Sequence, residues 1–394
     1  MLDCTIVIPS RSRPDFFRRC LSFILESELN APVIFVDNSD EEFTQHYLDI
    51  VSEFARTELE LTYIRASGKQ TFVAYLLEGF LAVKTSYCVF LSDDDLISLK
   101  FMSSAIDFLN QNPTYSSVTG QFVYFSIQDD VPYGPHKILR YAEGLESEDE
   151  HILSRILRNE LRYELDLSTY LCFDHVRRTQ DWIEIAKLMN ECATYEIENS
   201  VRDEYAQANT FIDEYFMTPI ALCSGKVKNL PMVNIAIQVH PKQQGSVILS
   251  DADIITAFES TKWYPLFNTY IDKATAYVSN KTGRSTSEIR KLLHTLAWSR
   301  FTHFVNKGTR NRYYQLMRQD FIPSAHHTRI ADCHDPYILK FMVFIRRLLG
   351  KIEKRARRKQ IESVSSISER KITANDKETM DKIFSYIKSP STLS

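Results

Sequence analysis

Over its first 126 residues the chain alternates short apolar runs with helical stretches, and this alternation constrains the fold more than any other feature. The run CTIVIP (4–9) is continuous and β-branched, as a strand covered on both faces must be. After it Pro14 suits a first helical turn, and Phe16, Phe17, Cys20, Leu21, Ile24 and Leu25 recur at helical spacing. VIFVD (33–37), LTYIR (61–65), YCVFLS (87–92) and VTGQFVYF (118–125) read as further strands. Helices are expected between them at 41–56, 70–84 and 99–110. Strands alternating with helices of this length form βαβ units. The expected class is α/β, a Rossmann-like, mainly parallel sheet with helices on both faces.

Past residue 126 the rhythm loosens. Residues 141–166 are acidic and polar, and read as a loop leading into a helix. A strand and turn over 167–178 and a helix over 179–192 follow, then a helix over 203–223 that Pro219 must kink or shorten. KVKNLPMVNIAIQVH (226–240) returns to strand-like alternation, and from about 250 the pattern is helical throughout. Between Lys340 and Lys359 nine basic residues face one acid, Glu353, for a charge of +8. The expected organisation is a domain over 1–246, with halves 1–126 and 127–246, and a helical region over 247–360 that ends in a basic amphipathic helix, 340–359. A flexible tail is expected over 361–394, where Ser, Lys and Thr abound.

Composition then removes several function classes. The 394 residues carry 47 basic and 51 acidic side chains, with ordinary hydrophobic (44%) and charged (25%) fractions. Seven scattered cysteines with no C-x-x-C pair point to reduced thiols in a cytoplasmic protein. No apolar run approaches a membrane span, and MLDCTIVIPS lacks the charged region of a secretory leader. Only ten glycines are present and none stands in the first strand-to-helix loop, so dinucleotide-binding and P-loop fingerprints are both absent.

In an open parallel sheet, ligands bind beyond the carboxyl ends of the strands. Here three strands end in polar groups: Pro9-Ser10-Arg11-Ser12-Arg13, Asp37-Asn38-Ser39-Asp40 and Ser92-Asp93-Asp94-Asp95. Three consecutive carboxylates repel one another unless protons or a cation offset them. Hard oxygen donors of this kind suit Mg²⁺ or Mn²⁺. The competing reading makes the aspartates a helix N-cap.

TIVIPSRSRP, VIFVDNSD, ASGKQTFVAYLLEGF (66–80) and YCVFLSDDDLI together resemble the nucleotide-binding half of a family 2 glycosyltransferase of the GT-A fold. FIDEYFMTPIALCSGKVKNLP (211–231) and VHPKQQGS (239–246) are similar to that family's catalytic-base helix and closing loop. The resemblance covers roughly 1–246 and implies a metal-dependent, inverting transfer from a nucleotide sugar, most simply a UDP-sugar. The acceptor it implies is a saccharide or glycolipid hydroxyl in surface polysaccharide synthesis. It places Pro9, Ser10 and Arg11 beside the base, Asp37 on the base's imide, and Gly68 and Lys69 near base and ribose. Asp93 and Asp94 would meet the donor. Asp94 or Asp95 would hold the Mn²⁺ or Mg²⁺, with His240 as a further ligand. Asp213 or Glu214 would be the general base, in an order reversed from the family's usual Glu then Asp.

Two other stretches carry clustered metal-ligating or basic residues. HHTRIADCHD (326–335) matches no standard zinc spacing. The basic stretch 340–359 lacks the interleaved aromatics of a nucleic-acid binder, and instead fits an anionic membrane surface on the cytoplasmic side. Alternatives to sugar transfer are an inactive nucleotide- or partner-binding module of the same fold, and transfer of a sugar or polyol phosphate.

Overall fold

The computed structural model describes residues 1–27, 30–66, 71–127, 131–144, 146–164, 173–198, 217–239, 263–308 and 374–388. The chain divides into two compact units, Met1–His303 with Glu378–Ser394, and Phe304–Lys377. Of the second, only the helical residues 304–308 and 374–377 are described. The sheet and the candidate site belong to the first.

The expected alternation is present. Strand β1 (Cys4–Ser10) leads to α1 (Pro14–Leu25), β2 (Val33–Asp37), a 3₁₀ turn (Glu41–Phe43) and α2 (Thr44–Phe54). Next come β3 (Leu61–Arg65), α3 (Phe72–Ala82), β4 (Tyr87–Phe90), a two-residue β5 (Leu96–Ile97) and α4 (Leu99–Gln111). Then β6 (Tyr115–Ile127), β7 (His136–Glu143), α5 (Ile152–Glu164), β8 (Val176–Arg178), α6 (Thr179–Glu198) and β9 (Lys226–Gln238) complete the sheet region.

Among the described residues the strand order is β3-β2-β1-β4-β8-β6-β9-β5, with β7 paired to β6. The pairs β3–β2, β2–β1, β1–β4 and β6–β9 are parallel. The short β8, inserted between β4 and β6, runs antiparallel to both. The fold is therefore α/β with a mainly parallel sheet, as expected.

The apolar runs explain the layers. β1, β2 and β4 are buried along their whole length, because helices cover both faces. On one face α1 contributes Phe17, whose ring stacks on Phe35 of β2 at 3.8 Å. On the other lies α3, apolar nearly all round, with Phe80 stacked on Trp182 of α6 at 4.8 Å. Gly79 allows α3 its close approach: a Cβ there would come within 2.8 Å of Val36 and Val7 side-chain carbons.

Two expectations are corrected. Residues 141–143 are not loop but the end of β7, an exposed edge strand whose polar alternation hid it. The tail from 361, expected to be flexible, contains a helix, Ala374–Lys388. Its Met380, Ile383, Phe384, Tyr386 and Ile387 are buried in a core cluster with Phe23, Val123 and Phe125. These apolar residues return at helical spacing within a Lys- and Ser-rich stretch, and overall composition masks that periodicity. Helices Trp263–Thr282 and Thr286–Gly308 agree with the helical C-terminal reading.

Candidate functional site

Parallel register aligns the polar strand ends. Ser10 pairs with Asp37 across β1–β2, and Asp37 with Arg65 across β2–β3. β4 lies on the other side of β1, and its continuation delivers Ser92 to Asp95 at the same edge. All three aspartates are nearly or fully buried. They do not cap α4: Ser98 is the N-cap, its Oγ accepting from the Phe101 amide at 3.2 Å. The N-cap reading of the triplet therefore fails. A turn closed by the Asp95 amide on the Ser92 carbonyl, at 3.1 Å, presents the three carboxylates instead.

Asp37 is fully buried and completely partnered. Its Oδ1 accepts from the Ser39 amide at 2.8 Å, and its Oδ2 from the Tyr63 hydroxyl at 2.9 Å. Arg65 forms an ion pair with Oδ2 at 2.5 Å and donates to the Ser39 carbonyl at 2.7 Å.

The triplet is held by groups from four parts of the chain. Arg13 straddles it, donating from Nη2 to Asp93 Oδ1 and from Nη1 to Asp94 Oδ2, the latter at 2.8 Å. Ser10 donates to Asp93 Oδ2. Because that hydroxyl proton is used, the Tyr47 hydroxyl donates to Ser10 at 2.6 Å, while accepting from the Arg13 amide at 2.8 Å. Arg19, fully buried on α1, donates to the Asp94 carbonyl, to Gln238 and to the Pro132 carbonyl. On the far side Asp95 Oδ1 accepts from the Gln238 amide of β9 at 3.0 Å.

Burial governs the electrostatics. Withdrawal from water, more than offsetting Arg13, lifts Asp93 to about 6. Asp95 is raised well above the ordinary carboxylate range by burial, then by Asp94 and by Asp174. Asp174, just before β8, is itself buried, and burial followed by the nearby Asp94 raises it to about 7. For Arg13, burial works against the charged form, but Asp93 and Asp94 prevail and hold its proton more firmly.

Of the residues singled out in the sequence, Pro9, Ser10, Asp37, Asp93, Asp94 and Asp95 come together at this edge. Arg11 stands apart on the surface, 3.6 Å from Asp40. Gly68, Lys69, Asp213, Glu214 and His240 lie outside the described residues, as do 326–335 and 340–359. Sequence reasoning missed Arg13 as a partner of the triplet, and missed Tyr47, Arg19, Asp174 and Gln238 altogether. Arg19 carried one signal: a charged residue on the face of α1 that also holds Phe16 and Cys20.

The donors are the hard oxygens that Mg²⁺ or Mn²⁺ prefers, but as arranged they do not fit such an ion. The Asp93 oxygens and one of Asp94 face Arg13 and Ser10, and one oxygen of Asp95 faces a backbone amide. Among the described residues no three His, Cys, Asp or Glu side chains converge as metal ligands. Nor is any described helix long and apolar enough to cross a membrane.

Among solved structures, the chain is similar to S. aureus TarS at 10% identity and a TM-score of 0.41, covering 78% of this chain and 55% of that one. It thus spans about half the length of that protein. TarS 1–349 in complex with UDP-GlcNAc is similar at 10% identity and a TM-score of 0.43, with 80% and 92% of the two chains covered. The mannosyltransferase PcManGT from Pyrobaculum calidifontis, in complex with GDP-Man and Mn²⁺, gives 13% identity and a TM-score of 0.39, covering 78% and 83%. No curated protein sequence matches. Residues 5–167 match the family model described as Glycosyl transferase family 2.

Proposed function

We propose that the chain is a glycosyltransferase that moves a sugar from a nucleotide-sugar donor, a UDP-sugar in the simplest case, to a hydroxyl of a saccharide or glycolipid acceptor. The observation that carries this reading is the meeting of Ser10, Asp37 and the Asp93–Asp95 turn at one strand edge, inside the family-matching segment. Breaking the anomeric bond leaves negative charge on a diphosphate, and Arg13 of the first loop is a guanidinium at this edge. Asp37, held rigid by three partners, suits a wall of the base pocket. Asp213 or Glu214 is the proposed base, which takes the acceptor proton on the face opposite the departing diphosphate, so that one displacement inverts the anomeric carbon.

A thermal-shift panel of nucleoside diphosphates with and without Mn²⁺, followed by donor hydrolysis, tests this. One nucleotide should stabilise the protein, and free sugar should be released. Asp93→Ala, Asp94→Ala or Asp95→Ala should lower that turnover by about 10²–10³, the scale of a lost electrostatic group, in at least one case. No stabilisation by any nucleotide would overturn the reading. Binding without turnover would favour an inactive binding module, and release of a sugar phosphate would favour phosphate transfer.

Attachment to an anionic cytoplasmic membrane surface is proposed from the +8 of Lys340–Lys359 alone. Replacing Arg346, Arg347, Arg355, Arg357 and Arg358 with Gln should abolish sedimentation with anionic liposomes. Unchanged sedimentation would remove the membrane from the proposal.

A further inference from the structure

Arg177 and Arg178 stand side by side on β8, and they are bonded very differently. Arg178 uses every side-chain nitrogen: Nε donates to the Tyr115 carbonyl at 3.2 Å, Nη1 to the Tyr87 hydroxyl at 3.4 Å and Nη2 to the Leu109 carbonyl at 2.9 Å. Arg177, on the opposite face of the strand, is completely buried. Yet only its Nη1 is engaged, at the long limit of a hydrogen bond, with Ser116 Oγ at 3.4 Å and the Ala221 carbonyl at 3.5 Å. Nε and Nη2 have no partner among the described residues. These two nitrogens share one edge of the guanidinium, and their N–H groups form the fork that grips an anion with two bonds.

Among the described residues no carboxylate meets that fork. Asp181 of α6, raised by burial and drawn back by Arg177 and Arg178, feels the charge but makes no ion pair with Arg177. The other polar neighbours are also unpartnered. Trp182, buried on α6, has its ring centre 5.5 Å from the Arg177 guanidinium carbon, and its indole N–H finds no acceptor. His175, two residues back on the same face, is held well below the ordinary imidazole range by burial and then by Arg177, and its Nε2 is unpartnered too. A buried charge without a counter-charge is strongly destabilising, and unpaired buried donors add to that cost. One anion at the fork relieves both.

We propose that the Nε–Nη2 fork of Arg177 binds a small monovalent inorganic anion, of the size of chloride or nitrate, as an internal ligand that stabilises β8 between β4 and β6. A single negative charge matches the guanidinium, whereas a multivalent anion would carry surplus charge into the interior. Complete burial selects against bulky organic anions. The proposal does not depend on the nucleotide-sugar reading. Arg177 is level with Cys88 near the start of β4, while the acidic triplet follows the end of that strand.

The test follows thermal unfolding of the full chain at constant ionic strength as gluconate, too bulky for the fork, is replaced by chloride, bromide or nitrate. An anion that binds only the folded state lowers the unfolding constant about 100-fold when present at about 100 times its Kd. The unfolding temperature should therefore rise saturably with each small anion. Bromide should also quench tryptophan fluorescence saturably, because a heavy ion at the fork lies beside Trp182, which ions in bulk solvent cannot reach. Arg177→Met should abolish both effects. Arg177→Lys keeps the charge without the fork and should weaken anion binding about tenfold or more, the scale of one lost charge-assisted bond. If the Met variant does not fold, bromide-soaked crystals of the wild type carry the test, with an anomalous peak expected at the fork. Equal unfolding temperatures in chloride and gluconate would overturn the proposal. So would an anion effect that persists unchanged in the Arg177 variants, or a fork without bromide in the soaked crystals.

Discussion

Asp37 and the Asp93–Asp95 turn end neighbouring stretches of one sheet edge, yet they are stabilised in opposite ways. Asp37 is one carboxylate whose partners all come from within 28 residues: Ser39, Tyr63 and Arg65. Its ion pair follows from strand register, since β2 and β3 align Asp37 with Arg65. The triplet is three carboxylates, with Asp174 as a fourth nearby, and its partners range from Ser10 to Gln238. Arg13 and Arg19 are the guanidiniums in contact with it, and Arg19 reaches a backbone carbonyl rather than a carboxylate. Asp37 is held by matched local partners, whereas the triplet draws its partners from across the chain, and burial raises Asp93 and Asp95.

The sharpest way to break the contrast is to remove the distant support of the triplet and leave that of Asp37 intact. Arg19 is buttressed from the C-terminal helix, where the Tyr386 hydroxyl donates to the Arg19 carbonyl at 3.1 Å. Truncation after residue 373 would strip five buried side chains, each worth about 1.5–3 kcal/mol of burial. It should produce the largest fall in unfolding temperature of the changes considered, measured by calorimetry. Nucleotide binding should be lost with it. Unchanged stability would mean that this helix is not part of the core.

Next in size is Asp37→Ala. Removing a fully buried carboxylate strands Arg65 and Tyr63, but Arg65 is 36% exposed and can regain water. The expected cost is about 2–3 kcal/mol by urea unfolding, below that of breaking a wholly buried pair. A cost near zero would show that Asp37 is held for a ligand and not for the fold.

The smallest effect is a pH slope. Asp174 has a folded pKa of about 7, against 3.8 for the ordinary group, so the folded state keeps a proton that the unfolded chain releases. Its contribution to stability is therefore full below about pH 4, and is lost as pH rises toward 7. Asp93, raised to about 6, acts in the same direction. Asp174→Asn removes this slope, so the variant should gain unfolding temperature over the wild type at pH 8 and show little difference at pH 4.5. Parallel curves for the two proteins would mean that Asp174 stays ionised and is solvated or paired.

The sequence by itself determined the elements of the first half and the edge to which they deliver their polar ends. Buried parallel strands must be continuous apolar runs, and chain direction then fixes where Asp37 and Asp93–Asp95 emerge. Even the Asp37–Arg65 pair follows from two strand runs that end in those residues. Only the tertiary structure decided which groups neutralise the triplet. Gln238 lies 143 residues beyond Asp95, and Asp174 arrives by way of β8, three residues long. Tyr386 is 367 residues from Arg19. Local periodicity carries no information about such pairings, because a side chain's spacing along one element says nothing of which distant element packs against it. The burial that raises Asp93 and Asp174 comes from that packing, so the electrostatics of the site arise with the fold.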